Sequence, residues 1–216
     1  MIKENLKKRI YTSIILLLIV FLISKFSTIL IFSLIVLGVL SVLEFFNIIN
    51  KAIKNKFFSI SFNILFVIYV FIFCLAFFFL SNFLLLKIIL FSILFACVSS
   101  DMGGFIFGKL FKGPKLTKIS PNKTYSGAIG SIIFSVIVFS SLIFYFTGEF
   151  NYLILFTGII ISTACQIGDL FFSHLKRKAR IKDTGNILPG HGGVLDRLDG
   201  IFLGIPFGFL FFIFFY

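Results

Sequence analysis

Residues 57–80 read FFSISFNILFVIYVFIFCLAFFFL, twenty-four positions without a charged side chain. An α-helix needs about 20 consecutive apolar residues to cross the ~30 Å hydrocarbon core of a bilayer. Inside that core a helix satisfies every backbone N–H and C=O within its own segment. The signature recurs outward in both directions. Spans are predicted at about 10–24, 26–49, 57–80, 82–100, 126–147, 151–172 and 200–216. The chain as a whole is 59% hydrophobic and 13% charged, where soluble domains carry roughly 25% charged residues. The predicted fold class is all-α: a polytopic integral membrane protein with about seven transmembrane helices. The first run, Ile10–Ser24, has a basic flank but no small-residue cleavage site before Lys25, so it reads as a span and not as a signal peptide.

The net charge of +12 is topological before it is functional. Eighteen of the twenty Lys/Arg fall in four clusters, Lys3 to Arg9, Lys51 to Lys56, Lys109 to Lys123 and Lys176 to Arg197. With the N-terminus in the cytoplasm, all four clusters lie on the cytoplasmic side, as the positive-inside rule requires. Lys25, Ser81–Asn82 and Gly148–Asn151 then form the outer turns. That pattern accounts for the charge without nucleic acid as a partner. Cys74, Cys97 and Cys165 sit in apolar runs without metal-ligand spacing and read as small buried hydrophobes.

Against this apolar background, residues 173–199, SHLKRKARIKDTGNILPGHGGVLDRLD, form a polar island. It holds both histidines, six of the twenty cations and three of the eight acids. Five acids, Glu44, Asp101, Asp169, Asp196 and Asp199, lie inside or at the ends of predicted spans. On insertion scales an aspartate at a helix centre costs about 2.5–3.5 kcal/mol, so such a residue generally has a partner or a role. Asp101, Asp169, Asp196 and Asp199 map to cytoplasmic span ends, at the level of the inner headgroups. Carboxylates at that level point to a divalent cation such as Mg²⁺, which takes one or two carboxylates plus phosphates.

Asp196 and Asp199 are three residues apart and share a face if the last helix starts before them; Arg197 points elsewhere and could meet a phosphate. A plainer role is to cap that helix at its positive end. The loop Pro189-Gly190-His191-Gly192-Gly193 leaves its backbone bare, as anion binding needs and as a plain turn also would. His191 could touch a phosphate there. The run Lys176, Arg177, Lys178, Arg180, Lys182 serves as a stop-transfer flank, as an anionic-lipid site, or as both. In the other polar loop, Ser120-Pro121-Asn122-Lys123-Thr124 could hold a triphosphate by charge and hydroxyl. Residues 103–109, GGFIFGK, nearly spell a P-loop, but Leu110 stands where Ser or Thr is needed and a membrane span precedes it, so that reading is rejected. Gly200, Gly204 and Gly208 put a small-residue face on the last span, read as helix packing.

Ser173-x2-Lys176-Arg177-x4-Lys182-Asp183-x-Gly185-x2-Leu188-Pro189-Gly190-His191-Gly192-Gly193-x2-Asp196-Arg197-x-Asp199 resembles the signature of the CDP-diacylglycerol synthases, also called phosphatidate cytidylyltransferases. Asp101-Met102-Gly103-Gly104-Phe105, Ser120 to Thr124, and Gln166-x-Gly168-Asp169-Leu170 resemble further motifs of that family. The resemblance runs from about Ser99 to Gly204. Departures are Asn122, where the family usually has Lys, and Ser126, where it usually has Glu.

The resemblance implies transfer of CMP from CTP to phosphatidic acid, in membrane lipid, with a Mg²⁺-dependent site on the cytoplasmic face of the inner membrane; a second cation is left open. It implies Asp169 and Asp196 as metal ligands, with Asp199, Lys176 and Arg197 beside them as catalytic residues. Substrate-binding candidates are Lys123, Thr124, Ser120, Ser173, Arg177, Lys182, His191, Gly192, Gly193 and Asp101. Residues 1–98 are then N-terminal transmembrane helices, and 99–216 a catalytic membrane region with cytoplasmic loops at 109–125 and 173–199. A homodimer is compatible with the glycine-faced last span. Rival readings are another CTP-dependent membrane enzyme, such as a polyprenol kinase, which would release CDP, or a synthase using ether lipid; a small cation transporter; and a lipid-binding or assembly protein without catalytic activity.

Overall fold

The computed structural model describes residues 15, 18–117, 120, 123–187 and 192–215. Its helices are α1 (Ser27–Ala52), α2 (Lys56–Ser81), α3 (Leu84–Phe111), α4 (Tyr125–Thr147), α5 (Tyr152–Lys178), α6 (Leu195–Leu198) and α7 (Ile201–Phe215). Residues 18–25 are also helical, and no strand occurs among the described residues. Among the described residues, six stretches are long and apolar enough to cross a membrane: α1 to α5, and Leu195–Phe215, which joins α6 and α7. They correspond to six of the seven predicted spans; of the first, 10–24, residues 10–14, 16 and 17 lie outside the described residues. The chain is an all-α polytopic membrane protein. Its outward faces are apolar: Phe32, Phe71 and Phe79 are 71%, 63% and 63% exposed. Soluble monomers rarely show contiguous apolar patches above a few hundred Å², so faces like these call for lipid around them.

The described residues form two compact units. One holds the chain up to Asn82 together with Leu175–Leu198; the other holds Phe83–His174 and the residues from Asp199 onward. In the first unit α1 and α2 pack as a helical hairpin. Gly38 brings the helices together: a Cβ there would lie 3.3 Å from Val70 Cγ1 and 3.4 Å from Cys74 Sγ. Phe45 and Phe66 stack with centroids 3.9 Å apart. At the connecting turn, Asn55 accepts from Phe57 N at 3.0 Å and starts α2 as its N-cap.

In the second unit α3 and α4 interlock through small residues. A Cβ on Gly103 would meet Gly130 O at 2.5 Å and Phe134 Cβ at 2.8 Å, and one on Gly127 would meet Gly104 O at 2.8 Å. This is the close backbone approach that glycine allows between membrane helices. It also corrects the predicted end of the 82–100 span. The packing carries α3 on to Phe111, so Asp101 sits within the helix and not at its end. The α4 helix stops at Gly148, whose φ of +74° suits a residue without Cβ and whose N–H bonds Phe144 O at 2.8 Å.

Buried hydroxyls tie the helices further. Ser100 and Ser162 Oγ atoms are 2.9 Å apart, Ser135 Oγ donates to Gly158 O at 2.9 Å, and Gln166 Nε2 donates to Ala128 O at 3.2 Å. Such bonds in place of lone hydroxyls matter where no water reaches. The glycines of the last helix serve packing as expected: added Cβ atoms would meet Cys97 Sγ at 2.6 Å from Gly204 and Cys165 O at 3.2 Å from Gly200.

Candidate active site

The polar residues gather in two groups, one within each unit. In the second unit the group rests on the last turns of α5 and the loop before α4. That loop is folded back on itself: Lys115 and Thr124 form an antiparallel bridge, Leu116 N donates to Lys123 O at 2.8 Å, and Tyr125 N donates to Pro114 O at 3.1 Å. Thr124 caps α4, its Oγ1 accepting from Gly127 N at 3.1 Å and lying 3.0 Å from Ser126 Oγ. The Ser126 hydroxyl therefore braces the cap. Ser120 closes a turn, accepting from Lys123 N at 3.0 Å while its own N–H reaches Thr117 Oγ1 at 3.2 Å.

This folding delivers the half-buried Lys123 to Asp169, and Lys123 Nζ pairs with Asp169 Oδ2. Ser173, four residues further along α5, donates to Asp169 Oδ1 at 3.2 Å. An ammonium has three donors, and the buried Lys123 Nζ directs one of them at Asp169. The ion pair with Asp169 satisfies its charge and leaves its donor capacity for a further acceptor. Nearby, Asp199 is buried, its Oδ1 accepting from Gly200 N at 2.9 Å. Its carbonyl lies where a Cβ on Gly168 would stand, at 2.5 Å.

In the first unit Asp196 is the hub. Lys176 Nζ donates to its Oδ1 at 2.7 Å, while Thr184 N and Gly193 N donate to its Oδ2 at 2.8 and 3.0 Å. All three partners donate, which an ionised carboxylate satisfies. The pair is secluded: the side chains of Lys176 and Asp196 are 11% and 8% exposed. Gly192 has φ +86°, and a Cβ on it would stand 2.9 Å from Asp196 Oδ2, so glycine is needed there for both conformation and space. The N–H of Gly193 is committed to Asp196.

Sequence reasoning left Glu44 and Thr184 out of the site. Glu44, on α1, is 4% exposed. Its Oε1 accepts from Val194 N at 3.0 Å, and its Oε2 accepts from Leu195 N at 2.9 Å and from Thr184 Oγ1. Burying a carboxylate costs several kcal/mol. Hydrogen bonds to a charged group return about 1.5–3 kcal/mol each, so three of them are of the right size to offset that. The signal available in the sequence was a lone acid inside a span; its partners lie 140 to 151 residues away.

Of the other predicted site residues, Asp101, Arg177, Lys182 and Arg197 are exposed. Arg177 Nη1 reaches Ile181 O at 3.4 Å. His191 lies outside the described residues, as do Leu188, Pro189 and Gly190.

Each polar group offers one aspartate of the kind a hard cation takes, and no cluster of three or more His, Cys, Asp or Glu side chains occurs among the described residues. A carboxylate offers about four lone-pair positions. Asp169 has two partners and Asp196 three, so each retains acceptor capacity. Mg²⁺ is commonly held by one or two carboxylates together with substrate phosphates and water.

The family model of the cytidylyltransferase family matches residues 9–215. Among similar proteins, the phosphatidate cytidylyltransferase of Helicobacter pylori (strain ATCC 700392 / 26695) is 43% identical over 115 residues, covering 52% of this chain and 42% of that protein. That of Rickettsia felis is 44% identical over 126 residues, 53% of this chain and 55% of the relative. That of Mycobacterium bovis is 32% identical over 148 residues, 68% and 48% respectively. The chain spans about half the length of these relatives.

Proposed function

The chain belongs to the cytidylyltransferase family, and from that premise we propose that it transfers CMP from CTP to phosphatidic acid, giving CDP-diacylglycerol and pyrophosphate. The observation that carries the proposal is the lysine–aspartate pairing at both polar groups, Lys123 with Asp169 and Lys176 with Asp196. A chain this apolar keeps two such pairs where a reaction between two polyanions needs cations for phosphate and carboxylates for metal.

A phosphate oxygen of phosphatidic acid attacks the α-phosphorus of CTP. The new P–O bond forms as the bond to the β-phosphate's bridging oxygen breaks, and pyrophosphate leaves with that electron pair. The nucleophile is already an anion, so no side-chain nucleophile is required. The protein's contribution is alignment and charge stabilisation. Lys123 turns its remaining donors to the triphosphate, and Ser173 orients Asp169. Lys176, Arg177, Lys182 and Arg197 offset phosphate charge, and Asp199 fixes the start of the last helix. Asp169 and Asp196 are the residues that would hold Mg²⁺, which supplies charge neutralisation on the phosphates. The polar loops and the N-terminus face the cytoplasm, where CTP is found, and the membrane is the inner cell membrane.

The test is product analysis with the purified full-length chain, CTP, phosphatidic acid and Mg²⁺ in detergent. Equal amounts of CDP-diacylglycerol and pyrophosphate are expected. Release of CDP with a phosphorylated lipid would replace this reading with a kinase.

A further inference from the structure

We propose that Glu44 is a positioning residue that fixes the base of the loop carrying Asp196. The 185–193 segment has two stems, Thr184 on one side and Gly193 to Leu195 on the other. Glu44 bridges both, taking Thr184 Oγ1 and Leu195 N on one oxygen and Val194 N on the other. Asp196 bridges the same stems through Thr184 N and Gly193 N, and holds Lys176 with its second oxygen. Thr184 and Gly193 to Leu195 are therefore tied together by two carboxylates, Asp196 and Glu44 of α1.

All three of these donors to Glu44 are neutral, so the side chain is held there by its geometry as a two-oxygen acceptor and not by a counter-ion. The glycines are shaped to it. A Cβ on Gly185 would stand 2.7 Å from Glu44 Oε1, and one on Gly193 would run into Oε2. Backbone N–H groups at Val194 and Leu195 precede Asp196 directly, so their placement sets the placement of the aspartate. Misplacing a reacting arrangement by about 1 Å can lower the rate about a hundredfold.

The kinetic part of this inference rests on the proposed CMP transfer; the structural part does not. The experiment compares wild type with Glu44→Gln, Thr184→Val and Gly185→Ala, each as the full chain in detergent. Amide hydrogen exchange across 184–198 is followed without substrates, alongside kcat and KM for CTP. In Glu44→Gln an amide NH₂ faces an N–H that the carboxylate accepted. Exchange at Val194 and Leu195 is expected to accelerate, with kcat down about ten- to a hundredfold and KM for CTP within about twofold. Thr184→Val and Gly185→Ala should move both readouts the same way by less.

Wild-type exchange and kcat in Glu44→Gln would overturn the proposal. So would reduced recovery of folded protein with wild-type kcat per folded molecule, which marks a purely structural acid, or a raised KM with unchanged exchange, which marks a substrate contact. If wild type transfers no CMP, the functional reading fails and the exchange arm alone decides the role of Glu44.

Discussion

At the residue scale the proposed chemistry rests on two aspartates held by lysines. Removing one partner of a secluded ion pair costs roughly 3–5 kcal/mol, because the other charge is left uncompensated. In Asp196→Asn the new NH₂ must face either Lys176 Nζ or the N–H groups of Thr184 and Gly193, donors in every case. Asp169→Asn meets Lys123 and Ser173 in the same way. Each variant is expected to lose CMP transfer by about a hundredfold or more, on the scale of an electrostatic contact made in the transition state, while insertion is retained. Turnover by purified, folded variants checks this; wild-type rates would remove both residues from the site. Asp169, Asp196, Lys123 and Lys176 were legible in the sequence because charge stands out against Phe, Ile and Leu. Their pairing was not, since Lys176 and Asp196 lie 20 residues apart across a loop whose path no local pattern encodes. The glycines at 192 and 193 read in the sequence as an anion site or as a plain turn; in the fold, Cβ atoms added to them would meet Asp196 and Glu44.

At the element scale the helices follow from apolar length, and their packing follows from where that length is interrupted by small residues. Hydropathy gave the start of α3 to within two residues, since the 82–100 span begins at 82 and the helix at Leu84. The helix runs eleven residues past the predicted end of the span, to Phe111, and in that stretch Gly103, Gly104 and Gly108 form an interface with α4. Gly103→Ala tests that role. Its Cβ would press on the backbone carbonyl of Gly130, which cannot rotate away. A destabilisation of about 1–3 kcal/mol is expected, the usual range for overpacking, read as a lower unfolding midpoint in detergent. Gly148→Ala is the control: nothing lies within 4 Å of its Cβ, and only the left-handed φ is strained. Equal midpoints for Gly103→Ala and wild type would mean that the α3–α4 contact is looser than drawn.

At the scale of the whole molecule the charge pattern predicts sidedness. The turn carrying Lys54 is expected on the cytoplasmic side and Glu149 on the outer side. Single cysteines at these two exposed positions, in a background without Cys74, Cys97 and Cys165, answer the question with a membrane-impermeant thiol reagent. Glu149→Cys should label in intact cells and Lys54→Cys only after permeabilisation; the reverse pattern would invert the topology and put the polar loops on the side without CTP.

The central claim is that this chain moves the CMP moiety, not the terminal phosphate, onto a lipid phosphate. Two parallel reactions with phosphatidic acid and Mg²⁺ measure that directly, one with CTP labelled at the α-phosphorus and one with CTP labelled at the γ-phosphorus. α-Label is expected in the lipid product and γ-label in pyrophosphate. Label from the γ-phosphorus in the lipid, with α-label leaving as CDP, would contradict the claim.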